Sequence, residues 1–201
     1  FGNLFARLGF GGIPFLLPLM MQLSLGYSAV LSGLLLVPIA FGVIIVKILS
    51  LRILRRVGYR KTLVINTILV AMMLWIFQII NLSTPPIMIA VLTFIFGLLI
   101  SLQYSGMNSL AYADITADEL SAATSIVGTT QQLAQSFGVA AAALLLRYFS
   151  PGLQEGVVLT PAIFHQTFFA LGCVTLITSM IFLRLKPNDG HQMLKAPKDS
   201  Q

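Results

Sequence analysis

The chain is dominated by apolar runs long enough to cross a lipid bilayer. Six such runs follow one another along its 201 residues, and charged side chains are nearly absent from them. A helix covers the ~30 Å hydrocarbon core of a bilayer with about 20 residues. Only helices and closed barrels satisfy their backbone polar groups within lipid, and barrel strands alternate polar and apolar residues. These runs do not alternate, which predicts an all-α integral membrane protein with six transmembrane helices.

The composition supports this fold class and narrows the choice of partners. Hydrophobic residues make up 57% of the chain and charged residues 9%, whereas soluble domains carry about 25% charged residues. The net charge is +6, but most basic residues flank the apolar runs, as in membrane proteins with basic cytoplasmic loops. We therefore expect the lipid bilayer, and no nucleic acid, as the partner of these charges. The single cysteine, Cys173, excludes a disulfide or a cysteine-rich metal site within the chain.

The apolar runs predict one six-span unit over residues 1–185. The spans are expected at about 4–25, 29–49, 62–80, 87–112, 121–149 and 163–185, and a polar cytoplasmic tail follows at 186–201. Because the chain opens at Phe1 inside an apolar segment, we expect it to be a piece of a longer protein. Glycines and prolines in the first span predict a kinked or broken helix, which in transporters often marks the binding site.

The basic residues predict the orientation of the spans, because cytoplasmic flanks are enriched in lysine and arginine. The link between spans 2 and 3 and its flanks hold Lys47, Arg52, Arg55, Arg56, Arg60 and Lys61. The tail region holds Arg184, Lys186, Lys195 and Lys198, whereas only Arg147 lies on the opposite side. The 2–3 link, the 4–5 link and the tail are therefore expected to be cytoplasmic, in a bacterial inner membrane.

Polar and small residues inside three spans recur at helical spacing, so that each set lies on one helix face. The first span contributes Arg7, Gly11, Pro18 and Gln22. The fourth span contributes Gly97, Ser101, Tyr104 and Asn108. The fifth span contributes Thr124, Gly128, Gln131, Gln135, Gly138 and Ala142. Since polar side chains inside a membrane face protein or a water-filled cavity, the candidates for a substrate cavity are Arg7, Gln22, Ser101, Tyr104, Gln131 and Gln135.

Helix packing explains part of the same pattern. Gly128, Gly138 and Ala142 are interpreted as packing positions, because small residues let helices approach closely. For Gln131 and Gln135, lining of a cavity and structural bridging between neighbouring helices are both open.

Arg7 is the only cation well inside a predicted span. An unpaired charge there would cost at least ~2.5 kcal/mol, so Arg7 either serves a functional cavity or lies near the cytoplasmic interface of a truncated first span. No Asp or Glu lies mid-membrane. If transport is coupled to protons, the carboxylate that titrates is therefore expected in the missing part of the protein.

Three stretches of sequence carry more specific motifs. The first comprises Arg7-Leu8-Gly9, Pro14-Phe15, Pro18, Leu25-Gly26-Tyr27-Ser28, Ser32-Gly33 and Pro38. The second is Arg55-Arg56-Val57-Gly58-Tyr59-Arg60-Lys61. The third comprises Ser105-Gly106-Met107-Asn108-Ser109, Asp114, Gln131-Gln132 and Ser136-Phe137-Gly138-Val139-Ala140. With these motifs the chain resembles the C-terminal six-span half of a major facilitator superfamily transporter, within the fourteen-span drug:proton antiporter subfamily.

The second stretch is similar to the gating-loop motif of that superfamily, Gly-x-x-x-Asp-Arg-x-Gly-Arg-Arg. Arg56, Gly58 and Arg60 match the motif, whereas Leu51 replaces its first glycine and Arg55 replaces its aspartate. In the family that aspartate makes a gating contact with a neighbouring helix, so this contact is not expected here.

The resemblance implies two inverted three-span repeats, in which spans 1 and 4 line the cavity, spans 2 and 5 flank the other half, and spans 3 and 6 lie outside. It implies export of small hydrophobic or cationic compounds by alternating access, driven by a proton gradient and without a cofactor or metal. The partner it implies is the missing N-terminal half of the same transporter.

Three other functions remain as alternatives. The chain would also suit a carrier of the same superfamily for a non-drug solute, or a non-transporting scaffold or assembly subunit. A scaffold would have aliphatic helix interiors, which Gln22, Tyr104, Gln131 and Gln135 argue against. An intramembrane enzyme is disfavoured because the only histidines, His165 and His191, lie at an edge and in the tail.

Overall fold

The computed structural model describes residues 2–112, 115, 119–150 and 159–183, and the regular elements within these ranges are all helical. The α-helices are α1 (Gly2–Phe10), α2 (Ile13–Leu23), α3 (Ala29–Val57), α4 (Tyr59–Ile76), α5 (Pro86–Ala111), α6 (Leu120–Phe149) and α7 (Pro161–Leu183). A short 3₁₀ turn, Phe77–Ile79, extends α4. The predicted tail at 186–201 and the motif residue Asp114 lie outside the described residues.

Five helical segments are long and apolar enough to cross a membrane. They are Phe5–Leu23, Ala29–Val57, Tyr59–Ile79, Pro86–Ala111 and Pro161–Leu183. The remaining long helix, α6, occupies the position of the predicted fifth span and has 30 residues, a length of about 45 Å. Its first two thirds are rich in serine, threonine and glutamine, which makes α6 less apolar than the other five. The all-helical membrane fold expected from the sequence is confirmed.

The first span is interrupted, as its glycines and prolines predict. Helix α1 ends at Phe10 and α2 begins at Ile13, with Gly11 and Gly12 between them. Pro14 lies in the first turn of α2, where its missing N–H leaves no helical hydrogen bond unmade. The backbone nearly continues across the break, since the N–H of Gly11 donates to the carbonyl oxygen of Arg7 over 2.7 Å. Arg7 therefore lies in the last turn before the interruption.

The basic link between the second and third spans is helical rather than a loop. The span predicted to end near residue 49 continues as α3 to Val57, and α4 begins at Tyr59. Arg55 and Arg56 lie in the last turn of α3, where cations interact favourably with the helix dipole. The two helices are separated by Gly58 alone, whose φ of 85° is a conformation that side-chain-bearing residues avoid.

The helices pack in an arrangement with internal symmetry. The principal helix pairs are α3 with α5, α4 with α7, α1 with α6 and α1 with α7. If the first three spans are exchanged with the last three, the α3–α5 pair becomes the α6–α1 pair, and the α4–α7 pair maps onto itself. The α1–α7 pair becomes the α5–α4 pair, which is also in contact. The packing therefore has the pattern expected of two inverted three-helix repeats.

Small residues and hydroxyl groups hold α3 against α5. A Cβ atom on Gly42 would lie 2.7 Å from the carbonyl oxygen of Phe94, which is too close for a carbon–oxygen contact. The Thr93 hydroxyl donates to the carbonyl oxygen of Leu35 over 2.8 Å, and the Ser101 hydroxyl donates to that of Val43 over 3.1 Å. Such interhelical hydrogen bonds stabilise membrane helices by about 0.6 kcal/mol each on average.

Candidate functional site

A cluster of polar side chains lies where α1 ends and meets α5 and α6. At its centre is Arg7, whose side chain is only 7% exposed. Its guanidinium donates to Oε1 of Gln135 and to Oε1 of Gln131, each over 3.3 Å. The guanidinium carbon also lies 4.3 Å from the centre of the Tyr104 ring. A cation over an aromatic face is stabilised by about 0.5–1 kcal/mol in water and ~2 kcal/mol or more when desolvated.

Both glutamines also donate a hydrogen bond to another part of the bundle. The Nε2 group of Gln135 donates to the carbonyl oxygen of Gly11 over 2.6 Å, at the break between α1 and α2. The Nε2 group of Gln131 donates to Oδ1 of Asn108 over 2.9 Å. Each amide therefore accepts from Arg7 with its oxygen and donates to a different neighbour with its nitrogen. We refer to Arg7, Tyr104, Asn108, Gln131 and Gln135 as the polar cluster.

Helical spacing explains how these residues meet. Gln131 and Gln135 are four residues apart on α6, and Tyr104 and Asn108 are four residues apart on α5, so each pair lies on one face. The α1–α2 break comes close to α6 because Gly138 has no side chain. A Cβ atom at position 138 would lie 3.1 Å from Cα of Gly11 and would overlap the carbonyl oxygen of Arg7.

Ala142 extends this close contact by one turn of α6. It is fully buried, and a Cβ atom on Gly12 would overlap its methyl group. Gly138 and Ala142 thus pack against the break in the first span.

Gly128 belongs to the same sequence stripe but has a different environment. It is exposed, and within the described residues no atom lies within 4 Å of the position its Cβ would take. Gly128 therefore makes no close helix contact among the described residues, and its role as a packing residue stays a prediction. The stripe reaches Gly128 at a level where neither α1 nor α2 lies against it.

The structure brings together four of the six predicted cavity residues, namely Arg7, Tyr104, Gln131 and Gln135. Gln22 is exposed near the end of α2, and Ser101 is buried with its hydroxyl bonded to α3, so neither belongs to the polar cluster. Asn108 belongs to it, and its amide bridges to α6.

A second polar group was not predicted from the sequence. Asn66 on α4 donates through Nδ2 to Oε1 of Gln103 and to the carbonyl oxygen of Leu99, both over 2.8 Å. Gln103 in turn donates to the hydroxyl oxygen of Thr67 over 2.9 Å. Asn66, Thr67 and Gln103 are at most 2% exposed, and together they clamp α4 to α5. The sequence signal for this group was the pair Asn66-Thr67 inside an apolar run. The only other polar residue within one helical turn of this pair is Thr62.

The gating-loop residues lie at the junction of α3 and α4. Arg56 is exposed in the last turn of α3, Gly58 forms the junction, and Arg60 is half-buried in the first turn of α4. The backbone N–H of Gly58 donates to the carbonyl oxygen of Leu54 over 3.0 Å, which closes the end of α3.

The polar cluster can bind and orient a polar group, but none of its side chains gains or loses a proton near neutral pH. A guanidinium stays charged throughout the physiological pH range, and the amides and phenol of the other members do not titrate near neutral pH. The cluster offers a cation, two amide groups on α6 and an aromatic face within a membrane helix bundle. Buried polar groups of this kind are typical of substrate pathways in transporters.

Comparison with known proteins places this bundle in a family. The sequence model that describes the Major Facilitator Superfamily matches residues 1–200. The chain belongs to the Major Facilitator Superfamily. It is a multi-pass membrane protein built as half of that superfamily's fold.

Several curated relatives align with nearly the whole length of this chain. The putative multidrug resistance protein MdtD of Pectobacterium carotovorum subsp. carotovorum is 32% identical over 200 residues, which are 99% of this chain and 43% of that protein. The MdtD protein of Escherichia coli K12 is 30% identical over 192 residues, covering 95% and 41%. The probable transport protein HsrA of Haemophilus influenzae is 33% identical over 195 residues, covering 97% and 42%. The chain thus spans less than half the length of these relatives, and no solved structure matches it significantly.

Proposed function

We propose that this chain is the C-terminal half of a secondary transporter, rather than an enzyme, that exports small hydrophobic or cationic compounds by alternating access. The observation that carries the proposal is the polar cluster, which buries a cation where a broken first span meets α5 and α6. Broken membrane helices that meet polar side chains are the usual sites of substrate binding in such carriers. The names of the relatives, multidrug resistance protein and transport protein, support the same function.

The exposed face of α6 supports the proposal that an N-terminal half of the transporter is the partner of this chain. Ser125, Thr129, Gln132 and Ser136 are exposed on this helix, although polar residues are unfavourable against lipid. Three of these hydroxyl groups are bonded to carbonyl oxygens of the preceding turn, as in the 2.9 Å bond from Thr129 to Ser125. We infer that the other half of the transporter, or water in the cavity between the halves, covers this face.

The coupling ion is proposed to be the proton. Its carboxylate would lie in the other half, because none of the side chains of the polar cluster changes its charge near neutral pH. The proposed location is a bacterial inner membrane, with the α3–α4 junction on the cytoplasmic side.

The experiment uses the full-length transporter in bacteria that lack other drug pumps. Gln131→Leu and Gln135→Leu each remove an acceptor of Arg7, and we expect both to reduce efflux of a fluorescent lipophilic cation with an unchanged amount of protein in the membrane. Gln166→Leu is the matched control, because Gln166 is exposed on α7 and its side chain makes no hydrogen bond to the described residues. Unchanged efflux in both cluster variants, for cationic and neutral drugs alike, would refute the assignment of the cluster to the substrate pathway.

A further inference from the structure

A groove of about 500 Å³ opens at the end of the bundle where α3 joins α4. It shares no residue with the polar cluster. Its walls include Val57, Arg60, Lys61, Val64, Ile65 and Leu183. Four of these residues belong to the first two turns of α4, and Leu183 ends α7. The groove therefore lies on the α4–α7 pair, at one end of both helices.

The order of residues along α4 gives the groove a charged end and an apolar end. Val64 lies four residues after Arg60, and Ile65 four residues after Lys61, so each basic residue shares a face with an aliphatic one. Four residues advance a helix by about 6 Å. The basic groups thus lie at the end of the helix and the aliphatic side chains one turn further along it, as headgroup and acyl chain do in a phospholipid.

The two cations have no partner among the residues that the structure describes. The side chains of Arg60 and Lys61 make neither a hydrogen bond nor an ion pair with these residues. The sequence holds no acidic residue before Asp114, and the neighbouring turn of α3 adds Arg55 and Arg56. The groove therefore has a positive charge that nothing in the adjoining helices neutralises.

We propose that this groove binds one anionic phospholipid, with its phosphate on Arg60 and Lys61 and an acyl chain along Val64, Ile65 and Leu183. Basic pockets between membrane helices are suited to anionic headgroups. The segment 184–201 of this chain is a poorer occupant, because it holds four basic residues against two acidic ones and so has the same sign as the groove. The other half of the transporter is a poorer occupant because the exposed polar face that it is proposed to cover belongs to α6, whereas the groove lies on α4 and α7.

The test uses the purified full-length transporter in detergent, with phosphatidylglycerol or phosphatidylcholine as added probe and native mass spectrometry as the measurement. The variant R60Q/K61Q removes both cations from the groove. Basic residues near an anionic surface each contribute about fivefold to affinity, so the double variant is expected to bind phosphatidylglycerol roughly thirtyfold more weakly. The control K47Q/R52Q removes the same charge from exposed positions of α3 that lie outside the groove and before the last turn of that helix, and we expect less than a twofold change.

Two further variants keep the result interpretable. R60K/K61R conserves both charges and is expected to retain phosphatidylglycerol, which separates lipid binding from a folding defect. A chain ending at Leu183 is expected to bind the lipid as the full-length protein does. Equal losses in R60Q/K61Q and K47Q/R52Q, retention of phosphatidylcholine equal to that of phosphatidylglycerol, or binding that appears only after the tail is removed would each overturn the proposal.

Discussion

Replacing Gly138 by alanine is expected to open the contact between α6 and the break in the first span. The new Cβ would lie 3.1 Å from Cα of Gly11 and overlap the carbonyl oxygen of Arg7, whereas carbon atoms in contact are ~3.5–4.0 Å apart. Both neighbours are backbone atoms, which no change of rotamer can move aside. The two helices must therefore separate by roughly 0.5–1 Å.

This displacement also breaks the polar cluster. The bonds from Arg7 to Gln131 and Gln135 are already 3.3 Å long, and a contact at 3.6 Å or more no longer counts as a hydrogen bond. Overpacking costs about 1–3 kcal/mol, two lost interhelical bonds about 0.6–1.7 kcal/mol each, and the better helix propensity of alanine offsets ~1 kcal/mol. The free energy of unfolding is thus expected to fall by about 3 kcal/mol, with a range of roughly 1–5 kcal/mol.

Gly128→Ala provides the matched control on the same helix. Gly128 has open space around its Cβ position within the described residues, so no contact among them opposes the gain in helix propensity. With water over this face, stability is expected to be unchanged or up to ~1 kcal/mol higher. Denaturant titration of the full-length protein in mixed micelles measures the difference, and initial efflux rates report on the cluster. Equal stability and equal efflux in the two alanine variants would refute the reasoning.

Two further predictions concern the clamp between α4 and α5 and the orientation of the chain. Asn66→Leu and Gln103→Leu each remove two of the three interhelical bonds of the clamp, so each is expected to destabilise the protein by about 1.2–3.4 kcal/mol. The double variant is expected to lose less than the sum of the two, because both single variants break the Asn66–Gln103 bond. Micelle unfolding of the three variants measures these losses, and strictly additive losses would contradict the assigned bond. In a Cys173→Ser background, a cysteine at Arg55 is expected to react with an impermeant maleimide only after permeabilisation, whereas one at Leu82, which is 73% exposed, reacts in intact cells. Labelling of position 55 in intact cells would contradict the predicted orientation.

The helices themselves were predictable because lipid offers the backbone no hydrogen-bond partners, so a long apolar segment becomes helical whatever its neighbours in the bundle are. Long apolar runs can only be helices, so the fourth span, expected at 87–112, is found as Pro86–Ala111. The ends of the helices were less predictable, because a helix can continue beyond its apolar run into water. The basic segment after residue 49 continues as helix to Val57, because arginines at the end of a helix extend into water while the backbone stays helical.

The polar cluster was only partly predictable, because a sequence stripe gives the face of a helix but not its neighbour at each level. Gly138 and Gly128 share the stripe on α6, yet only Gly138 meets the first span. On α5, Tyr104 lies over Arg7 whereas Ser101, one turn earlier, meets a carbonyl of α3. Helices that cross at an angle exchange neighbours along their length, and the crossing point depends on the packing of the whole bundle.

The composition of α6 links this packing to the larger protein. Its Ser, Thr and Gln content makes it less apolar than the five helices that qualify as spans by composition, and its hydroxyls bond back to its own carbonyls rather than to neighbouring helices. Inside a membrane such a surface is stable only against protein or water. On its inner side α6 already holds Arg7 through Gln131 and Gln135, so one helix contacts both the polar cluster and the open face. Any displacement of α6 by a second half that packed on this face would therefore change the distance between its glutamines and Arg7.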